Sequence, residues 1–412
     1  MRAQCPFSPL RLALRRLRAA GKGLTLAATM LLAACTNLED RVAHAVPPPD
    51  DLFADAQFGP ASEPIDPAHV FDLSPAMRDF IDERIRPHVR SLGGTRDALV
   101  YELYSRSGLR IDYDASFTRN AAEAFEARKG NCLALVIMTG AFAHALDLNI
   151  TYQQVSADEV WSHSNDMYFM SGHVNLLLDR RLPEVLESHD RYVSFTVDFL
   201  PGSEVAGYRV HPISEQTVLA MYLNNRSAEA LVRGQLDDAY WRARQSIAID
   251  PSYLSAFNTL GVVYARHGDP VLALRVFNYV LRRQPDNPRV LANEEDALRR
   301  LGRGDEADTV HQRLARLEPS PPFYFYNRGR AAMQAGDAQA ARDWFRKELA
   351  RSPDYHEFHF WLALADYALG RLDEARKEMG IALEDAVTAN DREIYAAKLE
   401  KLNSLRGQTQ VH

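Results

Sequence analysis

The spacing of hydrophobic and polar residues divides the chain into stretches with different periods. From 74 to 131 apolar residues recur at helical spacing, and Ser74 followed by Pro75 is typical of an N-cap with proline at the first helical position. From 133 to 146 almost every residue is apolar, which predicts a helix buried on all sides. The first half of the chain therefore begins with helices that contribute to a core.

Two later segments, 172–178 and 192–198, alternate between apolar and polar residues, as strands with one buried face do. We predict that they pair antiparallel in the register that sets His173 opposite Asp198. This register gathers polar side chains on one face and apolar side chains on the other. A slip by one residue would mix the two faces.

The C-terminal half repeats every 34 residues in three residue types. The recurring residues are Gly234, Gly268, Gly302, Gly336 and Gly370; Ala239, Ala273, Ala307, Ala341 and Ala375; and Pro251, Pro285, Pro319 and Pro353. Glycine can turn the chain between two helices, alanine lets the helices approach closely, and proline ends the second helix. The third repeat carries Glu294 and Glu295 in its first helix, so we expect that helix to pack less tightly.

This period resembles the tetratricopeptide repeat. The second repeat matches the family pattern at Phe257, Leu260, Gly261, Tyr264, Ala273, Phe277 and Pro285. The resemblance implies an all-α solenoid over 213–412, with a capping helix over 388–405. The repeats it implies span about 220–253, 254–287, 288–321, 322–355 and 356–389. Its concave face would bind a protein partner, or the array would only support or dimerise the preceding domain.

Length and charge limit the classes of function. A chain of 412 residues exceeds one ordinary core, so two or more domains are expected. Segment 1–34 holds six of the 48 basic residues and no acid, which leaves 42 basic against 55 acidic residues and a net charge of −13 beyond it. A body this acidic argues against nucleic acid as a partner.

The N-terminus has the order of a secretory signal. Residues 1–22 are basic, and the apolar run that follows would span only about 18 Å as a helix, too short for a bilayer core of about 30 Å. The sequence Leu-Ala-Ala-Cys ending at Cys35 resembles the bacterial lipobox. The resemblance implies a signal peptide over 1–34, cleavage before Cys35 and a lipid on its sulfur. In a host with two membranes, Thr36 then points to the outer membrane, facing the periplasm. The alternative is an ordinary signal peptide with a chance cysteine.

Residues 35–72 are rich in proline and acids, which predicts an extended tether between the anchor and the body. The alternative is that Phe53 and Phe58 dock part of this segment on the body. Either arrangement places the first folded domain at 73–212.

Cys132 is the candidate nucleophile. With Cys5 removed and Cys35 lipidated, it is the only thiol of the mature chain. Gly130 ends the preceding helix, and Asn131 is a natural N-cap, so Cys132 falls in a first turn, where free N–H groups and the helix dipole favour thiolate. A cysteine in an apolar helix is more often inert core. No cysteine pair or His/Cys cluster has metal-ligand spacing, and we predict neither metal nor cofactor.

A Gly-Asn-Cys sequence opens this helix, Gly-His-Val opens a strand at His173, and Asp198 ends the next strand. Together these features resemble transglutaminase-like cysteine enzymes, which have a papain-like α+β fold. The resemblance implies that Cys132 is the nucleophile, His173 the base and Asp198 the residue that orients the imidazole. Asp198 is followed by Phe-Leu-Pro rather than directly by proline, so it is the weakest member.

Two functions remain open from the sequence. The first is a membrane-anchored enzyme that hydrolyses or transamidates a protein or peptide amide through a thioester on Cys132, with the repeats binding a protein partner. The second is a repeat-scaffold lipoprotein whose transglutaminase-like domain is inactive. His144 is predicted to be core, about 18 Å along the helix from Cys132, and His163 is a weaker candidate base or substrate contact.

Overall fold

The computed structural model describes residues 47–105, 107–164, 167–179, 195–197, 199 and 209–409. The predicted signal peptide, the lipidation site Cys35 and the triad member Asp198 lie outside the described residues. The side chain of His163 lies outside them as well. The N-terminal part, 73–213, combines helices with a sheet, and the C-terminal part is wholly helical.

Five helices and a short parallel strand pair form one layer of the N-terminal part. They are α1 (Pro75–Phe80), α2 (Arg86–His88), α3 (Thr95–Tyr104), β1 (Asp112–Tyr113), α4 (Ala121–Ala127), β2 (Lys129–Gly130) and α5 (Cys132–Ala145). A π-helical turn, Ile81–Ile85, joins α1 to α2. As predicted, Ser74 caps α1 by accepting a hydrogen bond from the Met77 amide.

The second layer is an antiparallel sheet of four strands in the order β5-β4-β3-β6. The strands are β3 (Asn149–Ser164), β4 (Met167–Asp179), β5 (Phe195–Val197) and β6 (Arg209–Ile213). Helix α5 packs on this sheet, and every residue from Cys132 to Ala143 is buried, which confirms the predicted buried helix. Tyr152, Val174, Leu176 and Leu178 supply the sheet side of this core.

The predicted strand register is wrong by two residues. It would have paired Leu176 with Phe195, whereas the structure pairs Leu176 with Val197 and Leu178 with Phe195. A shift of two residues returns every side chain to the face it had before, because the side-chain period of a strand is two. The alternation of apolar and polar residues therefore fixes the faces but cannot distinguish these two registers.

Five helix pairs and a final helix follow the sheet. The pairs are α6 (Glu215–Val232) with α7 (Leu236–Ile249), α8 (Leu254–His267) with α9 (Pro270–Leu281), α10 (Pro288–Arg300) with α11 (Gly304–Leu317), α12 (Tyr324–Gln334) with α13 (Ala338–Leu349), and α14 (His356–Ala368) with α15 (Leu372–Glu384). Helix α16 (Ala389–Thr409) ends the array, at the predicted place of the capping helix.

The recurring glycines and alanines do what the sequence predicts. All five glycines have φ between +72° and +96°, where a side chain would be strained, and all five alanines are fully buried. A further glycine in α8 makes room for the second helix of its pair. A Cβ on Gly261 would lie 2.2 Å from the Phe277 ring, and Gly329 and Phe345 repeat this contact two pairs later, at 2.5 Å.

The weak packing predicted for the first helix of the third pair is found in its second helix, since α10 buries Val290, Leu291, Ala297 and Leu298. Glu295 stands where its neighbours have Gly261 and Gly329, and it contacts His311 at 3.2 Å instead of an aromatic ring. Helix α11 buries only Ala307. The apolar core of the first repeats ends at this helix, and a separate core begins at Phe323 in the next pair.

The segment Pro47–Glu63 lies against the first two helix pairs. Phe58 stacks on Tyr240 with ring centroids 3.9 Å apart, and the Arg244 guanidinium lies 4.0 Å from the centre of the Phe53 ring. Of the two arrangements that the sequence allows for this segment, the structure has the docked one. Its two phenylalanines supply apolar surface that an extended tether would leave in water. In the described part of the chain, no helix has the length and apolar character needed to cross a membrane.

We predict that Gly261→Ala lowers the thermal unfolding midpoint of the array. The new methyl group would overlap the Phe277 ring, and such overpacking costs roughly 1–3 kcal/mol. Gly380→Ala in α15 is the matched control, since no atom lies within 4 Å of its added Cβ, and it should leave the midpoint unchanged or raise it. Equal midpoints for the two variants would contradict the packing argument; circular dichroism measures both.

A buried histidine in α14 makes the fifth pair sensitive to pH. His359 Nδ1 lies 2.6 Å from a Glu378 carboxylate oxygen, and its Nε2 lies 2.7 Å from the Pro353 carbonyl oxygen, so both ring nitrogens face acceptors. Burial alone would lower the pKa of His359, but the Glu378 and Pro353 contacts outweigh it and raise the pKa above the ordinary 6.5. The imidazolium stabilises the fold fully below pH 6.5, and this contribution is lost as the pH rises through the higher pKa of the folded state.

We therefore expect His359→Gln to flatten the fall in unfolding midpoint between about pH 6 and 9 that the wild type should show. His311→Gln, at a histidine whose side chain is 60% exposed, is the control and should keep the wild-type slope. A wild-type midpoint that does not fall over this range would contradict the assignment.

Candidate functional site

Cys132 is the first residue of α5, as the sequence predicts. The Asn131 side chain caps the helix by accepting a hydrogen bond from the Ala134 amide at 2.9 Å, and its own amide donates to the Thr118 hydroxyl at 2.8 Å. Gly130 allows the sharp entry, since a Cβ there would lie 2.9 Å from that of Ala134. Cys132 is 6% exposed, and this exposed part belongs to the wall of a large cavity.

Tyr113 is a neighbour of the thiol that sequence reasoning missed. Parallel pairing of β1 with β2 sets Tyr113 beside Gly130, next to the start of α5. Burial raises the pKa of Tyr113 far above its ordinary value, the Cys132 thiol adds to this increase, and the Cys132 backbone N–H directed at the phenol oxygen partly offsets it. The hydroxyl is therefore neutral and can donate a hydrogen bond beside the sulfur.

An acidic residue after Tyr113 fixes the loop that follows. Burial disfavours the Asp114 carboxylate, but Ser116, Lys129 and Arg119 outweigh burial and lower the pKa of Asp114. Its carboxylate lies 3.3 Å from both Lys129 Nζ and an Arg119 guanidinium nitrogen. These contacts are structural and hold residues 114–119 against the start of α5.

His173 lies on β4 opposite Val155 and is 2% exposed. A Cβ on Gly140 would lie 2.5 Å from the Tyr152 hydroxyl, so the Tyr152 side chain on β3 packs against the middle of α5.

Strand alternation also decides which way His173 leaves the strand. Val174 and Leu176 pack in the core with α5, so His173 leaves β4 on the opposite face. Of the two described candidates, Cys132 lines the cavity and His173 does not. The third candidate, Asp198, is outside the described residues.

The prediction that His144 belongs to the core is wrong. Its side chain is 51% exposed, and its Nε2 lies 2.6 Å from a Glu215 carboxylate oxygen at the start of α6. The last turn of a buried helix can reach the protein surface, so that its side chains contact solvent. A run of apolar residues in the sequence does not show where the helix reaches the surface. Among the described residues, no group of three or more metal-ligating side chains has the geometry of a metal site.

The cavity has a volume of about 2380 Å³ and joins Cys132 to the concave face of the repeats. Its wall is formed mainly by the first helix of each pair, α6, α8, α10, α12 and α14. Asparagine side chains line it along its length, at Asn225, Asn258, Asn293 and Asn327. Asn225, Asn293 and Asn327 occupy the same repeat position, and Asn258 sits one position earlier and accepts a hydrogen bond from Asn293 at 2.9 Å.

Loop 114–118 contacts both ends of the array. At the first repeat, the Thr118 amide donates to the Glu229 carboxylate at 2.7 Å. At the last repeat, the Ala115 amide donates to the Val387 carbonyl at 3.0 Å, in the turn between α15 and α16. One short loop beside Cys132 therefore contacts the two ends of a solenoid about 170 residues long.

Comparison with known proteins identifies the C-terminal part. Residues 332–401 match the family described as tetratricopeptide repeat. Solved structures similar to part of the chain include a thermophilic tetratricopeptide-repeat protein of Thermus thermophilus, which is 22% identical. The match covers 44% of this chain and 98% of that chain, with a TM-score of 0.29. The similar structures also include pilF of Pseudomonas aeruginosa, with 22% identity, 47% and 88% covered, and a TM-score of 0.29. No curated protein matches the chain. The family match and the five observed helix pairs agree, so the C-terminal part is a tetratricopeptide-repeat solenoid.

We predict that Tyr113→Phe slows alkylation of Cys132 by iodoacetamide without unfolding the protein. The change keeps the buried ring and removes only the hydroxyl that can donate beside the sulfur. Tyr101→Phe, at an exposed tyrosine on α3, is the control and should leave the rate unchanged. Peptide mass spectrometry locates the label at Cys132, and equal rates in wild type and Tyr113→Phe would exclude a role for this hydroxyl.

Proposed function

We propose that the chain is a lipid-anchored cysteine enzyme with a transglutaminase-like, papain-like domain, whose repeat array binds a protein partner. The observation that carries the proposal is the position of Cys132, at the start of a helix and on the wall of a cavity that the repeats complete. A helix start stabilises negative charge, and a thiol that lines a cavity can meet a substrate.

The proposed chemistry is acyl transfer through a thioester. His173 would take the proton of the Cys132 thiol as the sulfur attacks an amide carbonyl, and would return it to the leaving amine when the carbon–nitrogen bond breaks. The resemblance assigns Asp198 the role of holding the imidazole in the required tautomer, although the register predicted to set it opposite His173 is not the observed one. Water or a second amine then accepts the acyl group, which gives hydrolysis or transamidation. The Tyr113 hydroxyl is the candidate donor to the developing oxyanion, because the Cys132 backbone N–H is directed at the phenol oxygen of Tyr113.

The second candidate is a scaffold lipoprotein whose N-terminal domain does not turn over substrate. The position of His173, on the face of β4 turned away from the α5 core and outside the cavity wall, favours it. In this reading the solenoid still binds a protein partner, and Cys132 is a thiol without a base.

Alkylation of Cys132 by iodoacetamide at about pH 6 distinguishes the two candidates. An activated thiolate reacts rapidly at this pH, and His173→Ala should slow the reaction about tenfold or more. His144→Ala is the matched control, because it changes an exposed histidine at the far end of the same helix. Slow alkylation that is equal in wild type and His173→Ala would leave the scaffold reading.

The anchor is tested by membrane partitioning. Cells that produce Cys35→Ala should release the protein from the membrane fraction, because the substitution removes the sulfur that would carry the lipid. Cys5→Ala, within the proposed signal peptide, should partition as the wild type does. Retention of Cys35→Ala in the membrane fraction would refute lipid anchoring, and the enzyme proposal would be unaffected.

A further inference from the structure

The wall of the cavity contains a buried amide whose oxygen has no hydrogen-bond donor. Asn224 lies on α6, is 9% exposed and lines the cavity together with Cys132. Within the described part of the chain, its Oδ1 accepts no hydrogen bond. Folded proteins usually pair such atoms, because a buried acceptor without a donor has lost its water and gained nothing in return. A bound molecule with an N–H or O–H group would supply the donor.

Helix α6 meets the start of the cysteine helix through Thr118. The Thr118 hydroxyl accepts a hydrogen bond at 2.8 Å from the cap of the cysteine helix and another at 3.4 Å from the amide of Asn225, the neighbour of Asn224. One turn earlier on α6, Met221 packs in the same core as Cys132 and also lines the cavity. Residues three apart share one face of a helix, so Asn224 belongs to the part of the wall around the thiol.

Other side-chain amides in this part of the wall differ from Asn224. Asn131 both accepts and donates a hydrogen bond as the helix cap, and Asn225 donates to Thr118. Gln154 on β3 lines the cavity but is only half-buried, so water can reach its amide. Of the described residues that line the cavity, Asn224 therefore supplies the buried side-chain acceptor that no protein donor reaches.

An acceptor at Asn224 and a donor at Tyr113 match the two polar ends of an amide group. Burial raises the pKa of Tyr113, so its hydroxyl is neutral and can donate to a carbonyl oxygen. Tyr113 lines the cavity as well. An ester, or the amide bond that precedes a proline, has the carbonyl oxygen but no N–H. Such a group would leave the Asn224 oxygen unpaired.

We propose that Asn224 binds the N–H of an amide held at Cys132, so that the site selects amides whose nitrogen carries a hydrogen over esters and N,N-disubstituted amides. This inference rests on the proposed function for acyl transfer at Cys132, and it names the class of bond that the substrate presents. Asn224 holds the nitrogen of that bond in place and transfers no proton. The contact needs no turnover, so it can be measured on the thiol alone.

The test compares two alkylating reagents that differ at the amide nitrogen. Iodoacetamide carries N–H groups, whereas N,N-dimethyl-2-iodoacetamide has none. The ratio of their rate constants at Cys132, measured by peptide mass spectrometry on the full-length protein, is divided by the same ratio for glutathione and is called the amide preference. It does not depend on the thiolate fraction, because the same thiolate reacts with both reagents. One hydrogen bond predicts a wild-type amide preference of roughly three- to tenfold.

Variants of Asn224 separate the hydrogen bond from the bulk of the two methyl groups. Asn224→Leu has a similar size but no acceptor and should lower the amide preference roughly three- to tenfold, whereas Asn224→Asp keeps an acceptor oxygen and should retain it. Asn327→Leu is the matched control, at an exposed asparagine that lines the same cavity on α12, and it should keep the wild-type value. Asn224→Leu should also keep or raise the unfolding midpoint, because it replaces an unpaired buried acceptor with an apolar group.

Two outcomes would overturn the inference. The first is a wild-type amide preference of about one, which needs no variant and is decisive even where Asn224→Leu does not fold. The second is an equal amide preference in wild type and Asn224→Leu; with a lowered unfolding midpoint, it would assign Asn224 a purely structural role. Failure of the proposed enzyme shows differently, as slow alkylation that His173→Ala does not alter, and the amide preference can still be measured in that case.

Discussion

The arrangement of the molecule depends on the hydrogen bonds of the short loop 114–118. Thr118 contacts the Asn131 cap of the cysteine helix and the first repeat, while Ala115 contacts the turn before the last helix. Arg392 of α16 adds a contact at the same end, where it donates to the Tyr113 carbonyl oxygen at 3.5 Å. These contacts hold the start of the cysteine helix against the array, so that Cys132 lines the same cavity as the concave face of the repeats.

The sequence predicts the repeats well because each repeat is fixed by local requirements. Each repeat needs a glycine with positive φ and a fully buried alanine, as Gly268 and Ala273 illustrate. These two residue types therefore recur every 34 residues in the sequence. The start of the cysteine helix is predictable for the same reason, since Gly130 and Asn131 act on adjacent residues. In each case the residue and the backbone or packing requirement that it satisfies lie within a few residues of each other in the sequence.

The features that the sequence does not predict depend on distant segments. The two-residue strand β1 gives no pattern of its own, so neither Tyr113 beside the thiol nor the contact of Ala115 with Val387 could be anticipated. The register of β4 with β5 could not be predicted, because a shift of two residues leaves every side chain on the same face of the sheet. The position of His173 relative to the thiol depends on how the sheet packs on α5, and alternation gives only the face on which the side chain leaves the strand.

The weak packing of α11 has a consequence for how the array unfolds. Helix α11 buries only Ala307, and the apolar cores on either side of it are separate, so the two halves of the solenoid share little apolar contact. Partial opening of the array should therefore begin between the third and fourth pairs, while the cores around Tyr264 and Phe345 stay packed.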